Sequence, residues 1–386
     1  MNAAHARDIW VMLDVVANHS TYYIDADCSN VIPLNKCEYY HTKCDIDWNV
    51  QWSVENCWLA GLADLDQSNS YVHDYLLNWI ANVVQKFDFD GLRIDTIPEV
   101  PMDFWSEYTA AAGVFQMGEC FNGSVDYVAP YQQHVEGLFN YPMFFKLHDV
   151  YGWGHSMYEI RALYMDEDAK FVDVDALGSF MDNHDNARWL CTFPNNFAAF
   201  QAAVVFAMTA RGIPFFYYGD EQDFNGCNDP ANRESLWNAM DTSSLMYNYV
   251  AKINAARKAA SVWNYPYVER YATDNFFAFS KGDMLVMTTN SLETQSVYLP
   301  YLPWPDDTVV CNIFWADIDC QLVYKGQMLG YLANGESKIW LPKDSSYFEE
   351  AVAKVKTGEF YEYYGIEIDI QMPDGAYEEI DIVLSE

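Results

Sequence analysis

The chain has 386 residues, enough for a large barrel plus a smaller module; 51% are hydrophobic and 17% aromatic, which excludes global disorder. Its 56 Asp and Glu against 21 Lys and Arg give a formal net charge of −35, which argues against nucleic acid or an anionic membrane as partner. A neutral substrate fits, with carboxylates to spare for calcium, and no stretch approaches the roughly 18 apolar residues of a membrane span.

In chain order, the opening residues MNAAHARDIW lack the apolar run of a signal peptide. A repeated unit then fills the first two-thirds: a short apolar strand ends in polar residues and an amphipathic helical stretch follows. The predicted strands are IWVMLDVVANH (9–19), DFDGLRID (88–95), GVFQMGEC (113–120), GLFNYPMFF (137–145), LGSFMDNHD (177–185) and GIPFFYYGDE (212–221). Between them lie helical patterns such as SYVHDYLLNWIANVVQKF (70–87) and NNFAAFQAAVVFAMTA (195–210), with apolar residues at i, i+3, i+4 and i+7. Nearly continuous apolar strands alternating with helices imply a parallel sheet covered by helices. A closed barrel of this kind needs eight strands and six are counted, so two βα units lie upstream or the sheet is open.

Two regions break the rhythm. Residues 20–66 are a long excursion rich in Cys, Trp, Asp and Tyr. After about residue 262 the pattern changes to short alternating strands, NFFAFSKGDMLVMTTN (275–290) through SKIWLP (337–342), which predict an antiparallel β module. The nine cysteines show no CxxC and no paired Cys/His spacing for zinc. They read as disulfide partners made in an oxidising compartment, with at least one left over because the number is odd. Cys28 and Cys37 are paired here on proximity alone.

Residues at the C-terminal ends of parallel strands gather on one face, where a barrel enzyme keeps its active site. That face receives Asn18 and His19, then Arg93 and Asp95, then Glu119, then His184 and Asp185. Each alone has a bland explanation as a turn residue, a cap or a satisfied core histidine. Four coincidences at the same end of four strands favour a site. Two carboxyl groups, one attacking and one donating a proton, suit glycoside hydrolysis.

These residues also carry a resemblance. DVVANH, GLRID, GEC and FMDNHD resemble, in order and spacing, the four signature segments of the α-amylase family of glycoside hydrolases, and TARGIPFFYYGDEQ with GCNDPANRESLW is similar to the fungal-type members. The resemblance implies a (β/α)8 barrel, here lacking its first two βα units, over residues 1–262. It implies an inserted calcium-binding domain at 20–66 and a C-terminal antiparallel β domain at 263–345; an acidic tail occupies 346–386. The two outer strands would then expose apolar edges, so the chain as given is expected to be insoluble or inactive until an upstream extension with two strands and a signal sequence is restored.

Carried over residue by residue, the resemblance makes Asp95 the nucleophile, Glu119 the general acid/base and Asp185 the stabiliser of the oxocarbenium-like transition state. Arg93, two residues before Asp95 on the same strand face, holds the nucleophile ionised. His19 and His184 hydrogen-bond sugar hydroxyls, and Asp229 with Arg233 hold the same ring, with a plain salt bridge as the alternative. For Ca²⁺ the resemblance implies Asn18 and Asp64 side chains with Glu55 and Glu99 main-chain oxygens, and it pairs Cys44 with Cys57. Trp48, Trp52 and Trp58 are read as the core of the excursion.

The sequence departs from the fungal type where Pro98-Glu99 replaces Lys-His, which alters the leaving-group subsites. It departs again at Ala63, where Pro is usual, and at Ala129, one position of an absent cysteine pair. No chloride is expected. The implied activity is endo-hydrolysis of α-1,4-glucans by an extracellular or lumenal monomer; the rivals are an α-glucosidase or transglycosylase of the same family and a non-catalytic carbohydrate-binding fragment.

Overall fold

The computed structural model describes residues 1–316 and 318–348. By compactness the chain divides into Met1–Lys343, which holds every strand named below, and Asp344–Glu386. The acidic tail expected from 346 lies, from 349 on, outside the described residues.

Six parallel strands, β1 (Met12–Val15), β2 (Gly91–Ile94), β3 (Phe115–Gly118), β4 (Gly137–Phe139), β5 (Leu177–Ser179) and β6 (Ile213–Pro214), lie side by side in sequence order. Among the described residues no strand pairs with the outer edge of β1 or of β6. The register sets Asp14 beside Arg93 and Arg93 beside Met117, so equivalent positions stack across the sheet. Pairing runs on past the strand ends, with Asp95 N–H donating to the Val15 carbonyl at 2.9 Å and Glu119 N–H to that of Ile94 at 2.7 Å.

The helices form where the periodicity places them. Ser70–Phe87 starts at Asn69, whose side chain accepts from the Tyr71 N–H, and buries Val72, Leu76, Ile80 and Val84. That four-residue spacing is one helical stripe, and each such side chain contributes about 1.5–3 kcal/mol of burial free energy. The helix stops at Asp88, in the left-handed region at φ 59°. Phe197–Thr209, capped by Asn196, is buried almost all round. It packs on one side against the parallel sheet and on the other against the C-terminal strands, so no face was left for polar residues.

Those strands, β7 (Tyr267–Ala272), β8 (Phe276–Lys281), β9 (Met284–Thr289), β11 (Val309–Asn312), β12 (Cys320–Leu322) and β14 (Lys338–Pro342), form an antiparallel sheet in the order β12-β11-β14-β9-β8-β7. A ribbon of β10 (Gln295–Leu299) and β13 (Met328–Leu332) covers one face, meeting it at Phe276, Leu285, Met287 and Trp340. The helix Phe197–Thr209 covers the other, which is why β8 and β9 are buried at every position and do not alternate.

The excursion contains the helix Gln51–Asn56 and little other regular structure. It returns to the end of β1: His19 bridges to Asp64, and the Leu65 N–H donates to the Asn18 carbonyl at 2.8 Å. Disulfides join Cys28 to Cys37 and Cys44 to Cys57 there, Cys191 to Cys227 beside the β5 and β6 exits, and Cys311 to Cys320 across β11 and β12. Cys120 stays a free, buried thiol. One expectation fails in the excursion. Trp48, in the turn before the helix Gln51–Asn56, is 64% exposed, and Trp52 is 66% exposed because that helix turns Ser53 and Val54 inward instead; of the three only Trp58 packs inside.

Candidate active site and cation site

At the C-terminal ends of the strands one guanidinium serves three carboxylates. Arg93 on β2 reaches Asp95 Oδ1 at 2.5 Å, Asp14 Oδ1 on β1 at 3.0 Å and Glu119 Oε2 at the end of β3 at 3.2 Å. Arg93 and Asp95 share a strand face, and the parallel register brings Asp14 and Glu119 alongside. Burial alone would raise the Asp95 carboxyl, but the Arg93 charge and hydrogen bond outweigh it and hold it below the ordinary carboxylate value. Glu119 is more deeply buried, and there burial wins over Arg93, with the negative charge of Asp95 adding to it. Its carboxyl is pushed up to about 7. Two neighbouring acids are thus driven apart, one ionised and one protonated near neutral pH.

Two further donors orient Glu119. The Tyr141 hydroxyl, itself accepting from Asn183 Nδ2 at 3.0 Å, donates to Oε1 at 3.1 Å, and the Thr96 N–H donates to Oε2 at 3.1 Å. Thr96 holds that N–H in place at φ 50°, a left-handed conformation that a β-branched residue adopts at a cost of order 1–3 kcal/mol. His19 follows β1; burial lowers its imidazole despite the opposing charge of Asp95.

Asp185 comes from the loop after β5. Arg233 donates to its Oδ1 and to the His184 carbonyl, both at 3.1 Å, and His184 Nε2 lies 3.2 Å from Oδ2. Arg233 also meets Asp229 at 3.1 Å, so the Asp229–Arg233 pair forms and faces Asp185. Beneath it lies the fully buried Arg188, bound to Asp220 and Glu234 at 2.8 Å each and stacked on the Tyr217 ring at 4.1 Å. A cavity of about 240 Å³ opens among these groups, lined by Arg93, Tyr141, His184 and Phe215.

The expected cation ligands partly converge. The buried Asn18 amide stands 2.7 Å from Asp64 Oδ1 and 3.2 Å from the Glu99 carbonyl. Turned one way its nitrogen donates to both; turned the other, three oxygens meet as a hard cation requires. Asp64 keeps Oδ1 for this cluster because His41 Nδ1 takes Oδ2 at 2.6 Å. Burial pushes the Asp64 carboxyl up to about 6 and, with the charge of Glu119, that of Glu99 to about 8. Glu55 sits in the last turn of Gln51–Asn56, where carbonyls have no partner within the helix. Gln51 ties that helix to the Ile97–Glu99 turn by donating to the Glu55 carboxylate at 2.8 Å and to the Pro98 carbonyl at 3.0 Å. The amide, carboxylate and carbonyl oxygens of Asn18, Asp64 and Glu99 are the donor types a calcium ion takes. A second acidic group, Asp149, His155 and Glu159, already holds the Lys146 ammonium at 3.3 Å from Asp149 and 2.7 Å from Glu159.

Sequence reasoning missed Asp14, Tyr141 and Arg188. Asp14 had a signal, an acid in the middle of an apolar strand. The others are defined by partners distant in sequence.

A family model described as alpha amylase, catalytic domain, matches residues 1–277. Alpha-amylase 1 of Lipomyces kononenkoae is 35% identical over 266 residues, covering 66% of this chain and 42% of its own length. Alpha-amylase 2 of Schwanniomyces occidentalis is 32% identical over 296 residues, covering 73% and 58%. The chain thus spans about half the length of these relatives. The solved alpha-amylase of Malbranchea cinnamomea superposes with a TM-score of 0.85 at 30% identity, over 89% of this chain and 76% of that one. Such neighbours carry a β/α barrel followed by an antiparallel sheet, the same succession as β1–β6 and β7–β14 here. With strand-end acids, succession of elements and family model in agreement, the chain belongs to the alpha-amylase family.

Proposed function

We propose that the chain hydrolyses internal α-1,4-glucosidic bonds of starch, glycogen and related glucans, with retention of configuration. The observation that carries this reading is the split pair Asp95 and Glu119 on adjacent strand ends, both held by Arg93. Asp95, ionised, attacks the anomeric carbon while Glu119 gives its proton to the departing glycosidic oxygen. Glu119, now ionised, takes a proton from water, whose oxygen displaces Asp95 and restores both groups. Asp185 stabilises the positive charge that builds on the ring in both steps. His19, His184 and the Asp229–Arg233 pair hold the same sugar. The six parallel strands take six of the eight places of a (β/α)8 barrel.

Calcium bound by Asn18, Asp64 and the Glu55 and Glu99 carbonyls would tie the excursion to the end of β1 and keep His19 in place. A ligand that binds only the folded state stabilises it by roughly 2.7 kcal/mol at a hundredfold excess over its dissociation constant. Chelation should therefore lower the melting temperature; an unchanged melt with no metal by elemental analysis removes the site. Four disulfides support an extracellular or lumenal location, and among the described residues no helix is long and apolar enough to cross a membrane.

The function is tested by incubating soluble, folded protein that contains this chain, sized as a monomer by light scattering, with soluble starch. Oligosaccharides of mixed length released as the α-anomer are expected. Release of glucose alone, of β-anomers, or binding without turnover would each overturn the reading.

A further inference from the structure

The loop after β6 contains a buried amide with no assigned role in the site. Asn232, between the alanine and arginine of NDPANR, is fully buried. Its Nδ2 donates to the His184 carbonyl and to the Asn186 carbonyl, each at 2.8 Å. Those are the carbonyls on either side of Asp185. Only the nitrogen can face two carbonyls, so the orientation of the amide is fixed by chemistry. From the opposite side Asn183 Oδ1 accepts from the Asp185 N–H at 3.1 Å and the Asn186 N–H at 3.0 Å. The backbone carrying Asp185 is gripped through its N–H groups by one asparagine and through its carbonyls by another.

The grip is anchored. The Tyr217 hydroxyl donates to the Asn232 carbonyl at 3.0 Å, and the Tyr217 ring is stacked under the buried Arg188. Asn232 thus links the β5 exit, which carries Asp185, to the β6 exit. The Asp185 side chain itself is 39% exposed, and among the described residues it pairs with Arg233 and His184. Its position depends on its backbone.

We propose that Asn232 is a positioning residue for Asp185, fixing that carboxylate against the sugar ring as positive charge develops; the inference rests on the hydrolase reading above. A carboxylate that drifts loses stabilisation of the transition state while leaving ground-state binding almost intact. Displacement of this kind, of about 1 Å, costs on the order of a hundredfold in rate.

The test compares wild type, Asn232→Ala and Asn232→Ser on a maltooligosaccharide of fixed length. The readouts are kcat, KM, the inhibition constant of an amino-sugar mimic of the oxocarbenium ion, and the melting temperature. For Asn232→Ala, kcat should fall about tenfold to a hundredfold with KM within about threefold of wild type, and the inhibition constant should rise by the factor that kcat falls. Asn232→Ser, which returns one donor, should lie between. A purely structural role would lower the folded fraction and the melting temperature but leave the inhibition constant unmoved, and that result overturns the proposal. If Asn232→Ala does not fold, Asn232→Ser decides on the same readouts. Soluble, folded wild-type protein without glucan turnover overturns the hydrolase reading, and this inference with it; an active wild type matched by both variants overturns the inference alone.

Discussion

The two halves of the site are held by different physics. Asp95 and Glu119 stand on adjacent strand ends around Arg93, which is 15% exposed, and their proton affinities are displaced in opposite directions. Asp185 stands on a loop, 39% exposed, and is fixed by hydrogen bonds from a second loop. The first half is set by charge in a partly desolvated place, the second by backbone geometry. Chemistry that needs one acid ionised and one protonated is placed where charges interact strongly. The group that must above all be well aimed is placed where hydrogen bonds fix its backbone from both sides.

The widest break of this contrast is Glu119→Gln, which removes the transferable proton and preserves shape. Turnover should fall by about 10²–10⁴-fold with glucan binding retained, measured by steady-state rates and calorimetry. Near-normal turnover would remove Glu119 from the role of acid. Next come the two arginines. Arg93→Met leaves three carboxylates without their shared cation and should cost about 3–5 kcal/mol in urea unfolding. Arg233→Met removes a 44% exposed partner and should cost about 0–1 kcal/mol while still slowing turnover. Equal costs would erase the distinction between the halves. The smallest effect is in pH. The rate constant kcat/KM should fall on the alkaline side near pH 7, where Glu119 loses its proton, and on the acid side only below the ordinary carboxylate range, where Asp95 gains one. A rate that stays level well past neutral pH would contradict the raised Glu119.

Much of the charge-held half was legible in the sequence. GLRID and GEC place an arginine and two acids at strand ends, and period-two alternation turns Arg93 toward Asp95. The third carboxylate, Asp14, was not, because it meets Arg93 through strand register. The geometry-held half was half legible. FMDNHD and NDPANR announced themselves, but the bonds from Asn232 to residues 184 and 186 join positions 48 and 46 apart in the chain. Tyr141 escaped for the same reason. Trp52 misled because residue type does not say which side of a short helix faces water. IPFFYY read as a full strand, yet β6 is only Ile213–Pro214, since Tyr217 leaves to stack on Arg188.

The Cys191–Cys227 bridge bears on the order in which this molecule matures. The other three crosslinks join cysteines 9, 13 and 9 residues apart, each within one local segment. Cys191 and Cys227 lie 36 apart, with the helix Phe197–Thr209 and β6 between them. A disulfide forms only when the two Cα atoms come within about 7 Å, so this one waits until β6 has docked beside β5. The crosslink that closes over the longest stretch of chain therefore joins the two loops whose contacts place Asp185.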